Sequence, residues 1–286
     1  MIQSMTGFGK ASLQLTTKKI TVEIKSLNSK GLDLNTRMPS VFREMELGLR
    51  NQISQRLERG KVDFSLYVEV TGEETTSKIN VPIVKGYINQ MKAVIPNADE
   101  TELMKMAVRM PDALKTERDE IDENEWKQIQ TVINEALENI ANFRKDEGAS
   151  LEKEFQLRIG NINNLMNEAV SYDAERVETV KTRLRTALDE LKVNVDENRF
   201  EQELIFYLEK YDITEEKVRL GNHLSYFLET LNGTEANGRK LGFITQEMGR
   251  EINTMGSKSN HTEMQKLVVM MKDELEKIKE QVLNVL

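Results

Sequence analysis

Two glutamates four residues apart, Glu247 and Glu251, head the side chains of this sequence whose types and spacing could do chemistry. On a helix, residues four apart project from one side, about a turn from each other. Such a pair can chelate a divalent cation or share acid–base duty; the ordinary alternative is a solvated, ion-paired face beside Arg250. A second set lies upstream. Glu216, Arg219 and His223 fall within about 60° of one another on a helical wheel, with Asp212 just ahead of them. His223 is one of only 2 histidines in the chain. Read structurally, it is a satisfied helical histidine or half of a surface ion pair; read chemically, it is a general base or a metal ligand. Neutral imidazole with carboxylate oxygens suits Mn²⁺, Fe²⁺ or Zn²⁺, and carboxylates alone suit Mg²⁺.

The segment that carries the glutamates, Gly238 to Ser259, separates into three faces at helical pitch. Leu241, Ile244, Met248, Ile252 and Met255 form a core stripe. Lys240, Phe243, Glu247, Arg250, Glu251 and Thr254 form a polar arc, flanked by Gln246 and Asn253. Gly242, Gly249 and Gly256 recur every seventh residue on the third side. Each interior glycine costs a helix roughly 1 kcal/mol against alanine, so this stripe implies a close helix neighbour or an approaching ligand backbone. Gly256-Ser257-Lys258-Ser259 reads as a turn between two helices that could hold a phosphate. Arg37, Arg59 and Lys61, at strand and helix ends, are candidate phosphate contacts, and each taken singly is by default solvated. The opening Ser4-Met5-Thr6-Gly7-Phe8-Gly9 lacks the ending and the preceding strand of a nucleotide loop. Neither a Ser-His-Asp set, nor HExxH, nor a dinucleotide fingerprint can be assembled.

The elements that must position these residues change character along the chain. Residues 2–15, 18–27, 32–36 and 62–70 alternate as strands, with a helix from Ser40 to about Leu57 between the last two. Val81-Pro82 opens another helix. All 4 prolines lie before Glu125, and from there the apolar spacing is helical. One seam runs Trp126, Ile129, Ile133, Ala136, Leu137, Ile140, Phe143 and on to Met166; another joins Val177, Val180, Leu184, Leu188 and Leu191. Seams of this kind pair as antiparallel hairpins or across subunits. Further helices are expected over 196–210, 213–231, 236–255 and 259–285. The expected architecture is α+β: a sheet-containing domain over 1–75, a helical arm for oligomerisation over 76–195, and an all-helical domain over 196–286 carrying the candidate site.

Composition narrows the functional classes. With 286 residues, no cysteine and a net charge of −8, the chain has no disulfide, thiolate metal site or cysteine nucleophile. It lacks an apolar run long enough to span a membrane and an opening that resembles a signal peptide, so a cytoplasmic location is expected. Charge is uneven. Residues 1–71 hold 11 Lys and Arg against 7 Asp and Glu, a balance of +4 within the total of −8, so only local basic patches could hold a phosphate backbone.

Several blocks together resemble the YicC/YloC family of bacterial proteins. They are Ser4-Met5-Thr6, Leu27-Asn28 with Leu32-Asp33, Arg37-x-Pro39, and Arg59-Gly60-Lys61-Val62. They continue with Arg199-x-Glu201-Gln202-Glu203-Leu204, then Asp212-Ile213-x-Glu215-Glu216 leading to Arg219-Leu220 and His223, and the Gly238–Ser259 segment with its Gln-Glu-x-x-Arg-Glu-x-Asn-Thr run. The resemblance implies an endoribonuclease that depends on a divalent metal, Mn²⁺ or Mg²⁺, and assembles as a hexamer. It implicates His223, Glu247, Arg250, Glu251, Asn253, Thr254, Ser257 and Lys258, together with Glu203, Glu215 and Glu216. On this basis Glu247, Glu251, His223 and Glu216 would hold the cation, and Arg250 would steady developing charge. Arg37, Arg59, Lys61, Arg239, Lys240, Lys258 and Asn253 would contact RNA. Two positions depart from the family pattern: Gly242 stands where Asp is usual and Gly249 where Asn is usual. The implied partners are RNA, further copies of the chain and other ribonucleases. The same residues also suit a non-catalytic RNA-binding protein or ribonuclease adaptor, and a purely architectural helical oligomer stands as a third possibility. The polar faces of the 213–231 and 236–255 helices are expected to meet, bringing His223 toward Glu247 and Glu251.

Overall fold

The computed structural model describes residues 2–71, 78–115, 123–190, 196–233 and 238–286. Strands β1 (Gly7–Gln14), β2 (Lys18–Leu27), β3 (Leu32–Arg37) and β4 (Gly60–Val70) form one sheet in the order β1-β2-β4-β3. The β1–β2 and β2–β4 pairs are antiparallel; β3 runs parallel to β4 because helix α1 (Glu46–Leu57) intervenes and carries the chain back across the sheet. Alternation sends Ile20, Val22, Ile24, Val62, Phe64 and Leu66 to one face, where they are buried with Leu49 and Ile53 of α1. The helix expected from Ser40 begins as a 3-10 segment, Ser40–Met45, before turning α-helical.

A short module follows, with β5 (Lys78–Ile79), α2 (Val81–Val94), α3 (Glu100–Ala107) and β6 (Leu114–Lys115) around Val84, Ala107 and Ala113. Helix α4 (Glu123–Ser171) then runs unbroken for 49 residues, about 73 Å at 1.5 Å per residue. Its seam is used twice within the chain. Ile129, Ile133, Ala136 and Ile140 close the sheet's buried face, while Leu151, Phe155, Ile159, Ile162 and Met166 enter the second core. The surface expected to be shared between hairpins or subunits is therefore largely covered by the chain itself.

Helices α5 (Asp173–Glu190) and α6 (Glu197–Tyr211) come next, then α7 (Thr214–Leu231), α8 (Gly238–Lys258) and α9 (Thr262–Val282). Of the last three, α7 and α9 pack on the distal half of α4 and α8 packs on both of them, around Leu220, Phe227, Leu241, Met248, Ile252, Met271 and Ile278. The two ends of the chain meet: Met5 donates its amide to Asn284 O at 2.7 Å, and Leu286 donates to Gln3 O at 3.0 Å. Among the described residues, no helix is long and apolar enough to cross a membrane.

The glycine stripe of α8 faces α9. A Cβ built on Gly256 would lie 3.0 Å from Val268, one on Gly249 3.3 Å from Leu275, and one on Gly242 3.8 Å from Val282. Of the two explanations the spacing allowed, a close helix neighbour is the one observed.

Candidate functional site

Helices α7 and α8 form an antiparallel hairpin, pinned near its open end by a rung of opposite charge. Lys258 Nζ lies 2.8 Å from Glu216 Oε1 and also donates to Asp212 O at 2.9 Å. From that rung, His223 is seven residues along α7 and Glu251 seven residues back along α8. Seven residues is two turns less about 20°, a rise of about 10 Å. His223 therefore leaves α7 on the side of Glu216, Glu251 leaves α8 on the side of Lys258, and the two lie at about the same height of the hairpin. Leu220 and Met255, both fully buried, fill the level between the two pairs.

The contrast between these levels is electrostatic. Glu216 is 4 % exposed, and its Oε1 is matched by a cation while Oε2 has no hydrogen-bond partner. Glu251 is 9 % exposed, with neither a hydrogen bond nor an ion pair. His223 is half-buried and likewise unpartnered. Helices α7 and α8 pack together, but no hydrogen bond or ion pair joins His223 to Glu247 or Glu251. The Glu216 Oε2 atom, cut off from solvent without a donor, costs folding free energy on the order of 1–3 kcal/mol, while the Glu251 oxygens keep some contact with solvent. Such a group in a native structure points to a ligand, an ion or chemistry.

Glu247 sits at the edge of the groove and accepts from Arg250 at 2.7 Å on its own helix; the arginine is 72 % exposed. Arg239 and Asn253 are exposed and unpaired, and the Lys240 ammonium lies 4.8 Å over the Tyr226 ring. Arg219 is bonded to Glu215 along the outer surface of α7. The start of α7 is set by Asp212, whose carboxylate accepts from Thr214 Oγ1 at 2.7 Å and Thr214 N at 3.0 Å. These two bonds hold the Asp212 carboxyl below its ordinary range.

The carboxylate donors have the chemistry a divalent cation requires: a buried, orphaned oxygen on Glu216 and unpartnered oxygens in contact with solvent on Glu251. They have not converged. Among the described residues no three His, Asp or Glu side chains come together as a cation-holding cluster.

Three expectations change. Gly256, Ser257 and Lys258 are not an interhelix turn but the last residues of α8, with Ser257 and Ser259 hydroxyls donating back to Thr254 O and Met255 O. The following N-terminus is closed by His261, whose Nδ1 accepts from Met264 N at 3.4 Å while its ring stacks on Tyr172 at 5.3 Å. No open phosphate cradle remains there, and Lys258 is occupied by Glu216. Gly242 and Gly249 face α9, away from the Glu251 groove, so their lack of side chains removes nothing from that groove.

In the amino-terminal domain, Arg37 and Lys61 are exposed and free of ion pairs. Arg59 is half-buried, its Nε donating to Ser29 O at 2.9 Å. These cations belong to a different part of the surface from the α7–α8 groove. What periodicity did not single out is Arg144, in mid-α4 and 3 % exposed. One of its terminal nitrogens donates to Ser26 Oγ at 2.5 Å, Met5 O at 3.1 Å and Arg59 O at 3.3 Å. It thereby joins the Ser4-Met5-Thr6, Leu27-Asn28 and Arg59-Gly60 blocks at one point. The available signal was a cation at position 144 continuing the i, i+4 row of Ala136 and Ile140.

Comparison with known proteins gives a consistent picture over the whole length. Residues 2–153 match the family model described as "Endoribonuclease YicC-like, N-terminal region", and residues 169–286 match "Endoribonuclease YicC-like, C-terminal". A protein of Clostridioides difficile named "Probable endoribonuclease YicC" is 33 % identical, with all of both chains aligned. One of the same name from Haemophilus influenzae is 29 % identical over 99 % of each.

Proposed function

The chain belongs to the endoribonuclease YicC-like family, and from that footing we propose that it cleaves RNA at internal phosphodiester bonds in the groove between α7 and α8. The observation that carries the assignment to this groove is Glu251, a largely buried residue whose carboxylate has no hydrogen-bond or ion-pair partner in the protein and keeps contact with solvent, on the level of an unpartnered histidine. Arg250 and Arg239, exposed at the groove's rim, bind flanking phosphates and steady charge that develops on the scissile one. His223 has an unpartnered imidazole that serves in one of two roles, taking a proton from attacking water or binding a divalent cation. Glu216, fixed by Lys258, keeps that end of the hairpin closed and offers its second oxygen to the groove.

The proposal includes dependence on a divalent cation, which Glu251, Glu247 and His223 would hold; Glu216, the fourth expected ligand, is set apart from them by Leu220 and Met255 and by its bond to Lys258. When bound, such an ion polarises a phosphate oxygen and lowers the pKa of its water. The non-catalytic alternative, an RNA-binding protein or ribonuclease adaptor, draws support from one feature: the four donors are not converged. Self-association belongs to the same proposal, as six copies by family resemblance. The exposed Ile205 and Phe206 of α6, and Val269 and Met270 of α9, supply apolar surface for it.

A circular RNA tests the activity directly, because only an internal cut converts it to a linear product. Linearisation by the purified protein, abolished by chelator and restored by Mn²⁺ or Mg²⁺, is the expected result. A circular RNA bound but left intact under all three conditions favours the adaptor.

A further inference from the structure

The polar arc of α8 contains a side chain that neither core packing nor cleavage accounts for. Phe243 is 60 % exposed in the interior of a 21-residue helix. It lies about 140° around the wheel from the centre of the stripe formed by Leu241, Ile244, Met248, Ile252 and Met255, so no small rotation of the helix would bury it. Its neighbours on that face are Arg239 and Lys240 in the preceding turn, then Glu247 and Arg250 in the two that follow. Arg239 has no ion-pair partner, and Arg250 neutralises Glu247. Lys240 spans to the adjacent helix, its ammonium 4.8 Å from the ring centre of Tyr226, which is 44 % exposed. Cations and aromatic rings thus alternate along one side of the α7–α8 hairpin. Phe243 is eight residues, about 12 Å of helix axis, from Glu251.

Resting on the cleavage proposal above, we infer that Phe243, with Tyr226 on the neighbouring helix, is a stacking platform for an unpaired base, so that the groove takes single-stranded or looped RNA in preference to a continuous duplex. An aromatic face stacks on any base, and flanking cations hold the backbone that carries it. In an A-form duplex the bases are stacked inside and offer no free face. Charge argues for a polyanion rather than a second copy of the chain as the occupant. Two copies meeting here about a two-fold axis would bring Arg239 and Lys240 toward the same cations of the partner.

The test is binding, read at once after mixing and before cleavage accumulates. The probes are a single-stranded oligonucleotide containing 2-aminopurine and a fully paired duplex of the same length. The wild type should bind the single strand more tightly and quench the 2-aminopurine fluorescence. Phe243→Ala should weaken single-strand binding roughly ten-fold, remove the quenching and leave duplex binding within about two-fold. Phe243→Trp should retain both affinity and quenching. Unchanged single-strand binding by Phe243→Ala, or an equal loss for duplex, overturns the platform. So does a change in molecular mass by light scattering with RNA binding intact, which would make Phe243 a contact between copies. Cleavage of circular RNA by a wild type whose Phe243→Ala variant binds normally removes the platform and leaves the cleavage proposal standing. A wild type that binds neither RNA removes both.

Discussion

Arg144 and Glu251 are both ionisable side chains buried on helices, one under the sheet domain and one in the α7–α8 groove, and the fold treats them in opposite ways. Arg144 has no carboxylate partner, yet one of its nitrogens is surrounded by three oxygens from three separate chain segments. Burial lowers its pKa; the neutral acceptors carry part of what water would have supplied, while its Nε stays buried without a partner. Glu251 has comparable burial and no donor. A buried charge that several chain segments hold between them is a structural tie. One that the protein leaves unsatisfied is a place where something from outside completes the site. By this criterion the blocks gathered at Arg144 build the amino-terminal domain, and those along α7 and α8 are where the proposed chemistry belongs.

The comparison can be broken by removing each charge in turn. Arg144→Met should be the most damaging change to stability. It leaves Arg59 O and Ser26 Oγ without their donor and Met5 O with only the Ser26 hydroxyl, costing about 3 kcal/mol, or a melting temperature lower by roughly 8 °C in calorimetry. Glu251→Gln should leave the melting temperature unchanged or slightly higher, since it removes an unpaired buried charge. Equal losses in the two variants would dissolve the distinction.

A third buried charge sharpens it. Glu274, on α9, is 12 % exposed but fully answered. Burial by itself would raise its pKa. Hydrogen bonds from Lys277, Asn161 and Arg158 outweigh that and bring it down to about 2. Because the folded value is depressed, this stabilisation is present above the ordinary carboxyl pKa of 4.5 and is lost as pH falls through about 2. It amounts to a few kcal/mol at most. Urea titrations of Glu274→Gln and wild type should therefore differ at pH 7 and converge toward pH 2.

Smaller effects are expected at the α8–α9 contact and on the basic surface. Gly242→Ala has room and should stabilise by about 0.5–1 kcal/mol through helix propensity. Gly256→Ala must displace Val268 and should destabilise by about 1 kcal/mol. Denaturation midpoints that move in the same direction would mean that the glycine stripe is not set by the approach of α9. Replacing both Arg37 and Lys61 by alanine should flatten the salt dependence of RNA binding by about 1.4–1.8 units of slope, with turnover at saturating RNA retained.

Much of this was legible in the sequence because local rules and tertiary packing agree. The strand alternation of Ile20, Val22 and Ile24, the apolar stripe of α8 and the stretch from Thr214 to Leu231 each bury the face their period selects. The end of α8 was misread because Gly256 and Ser257 are turn formers by propensity, while packing against Val268 and Gln265 keeps them helical. The double use of the α4 seam was hidden for another reason: one apolar stripe looks the same whether it meets a sheet, three helices or another subunit. Chemistry was harder still. Glu216, Glu247 and Glu251 are equivalent letters, and only burial separates a paired carboxylate, a rim carboxylate and an unpartnered one.

Glu251 carries the central claim, and single-turnover cleavage by Glu251→Gln at saturating RNA tests it most directly. The account expects a folded protein that binds RNA within a few-fold of wild type and cleaves at least about a hundred times more slowly. Cleavage at the wild-type rate by that folded variant would contradict it.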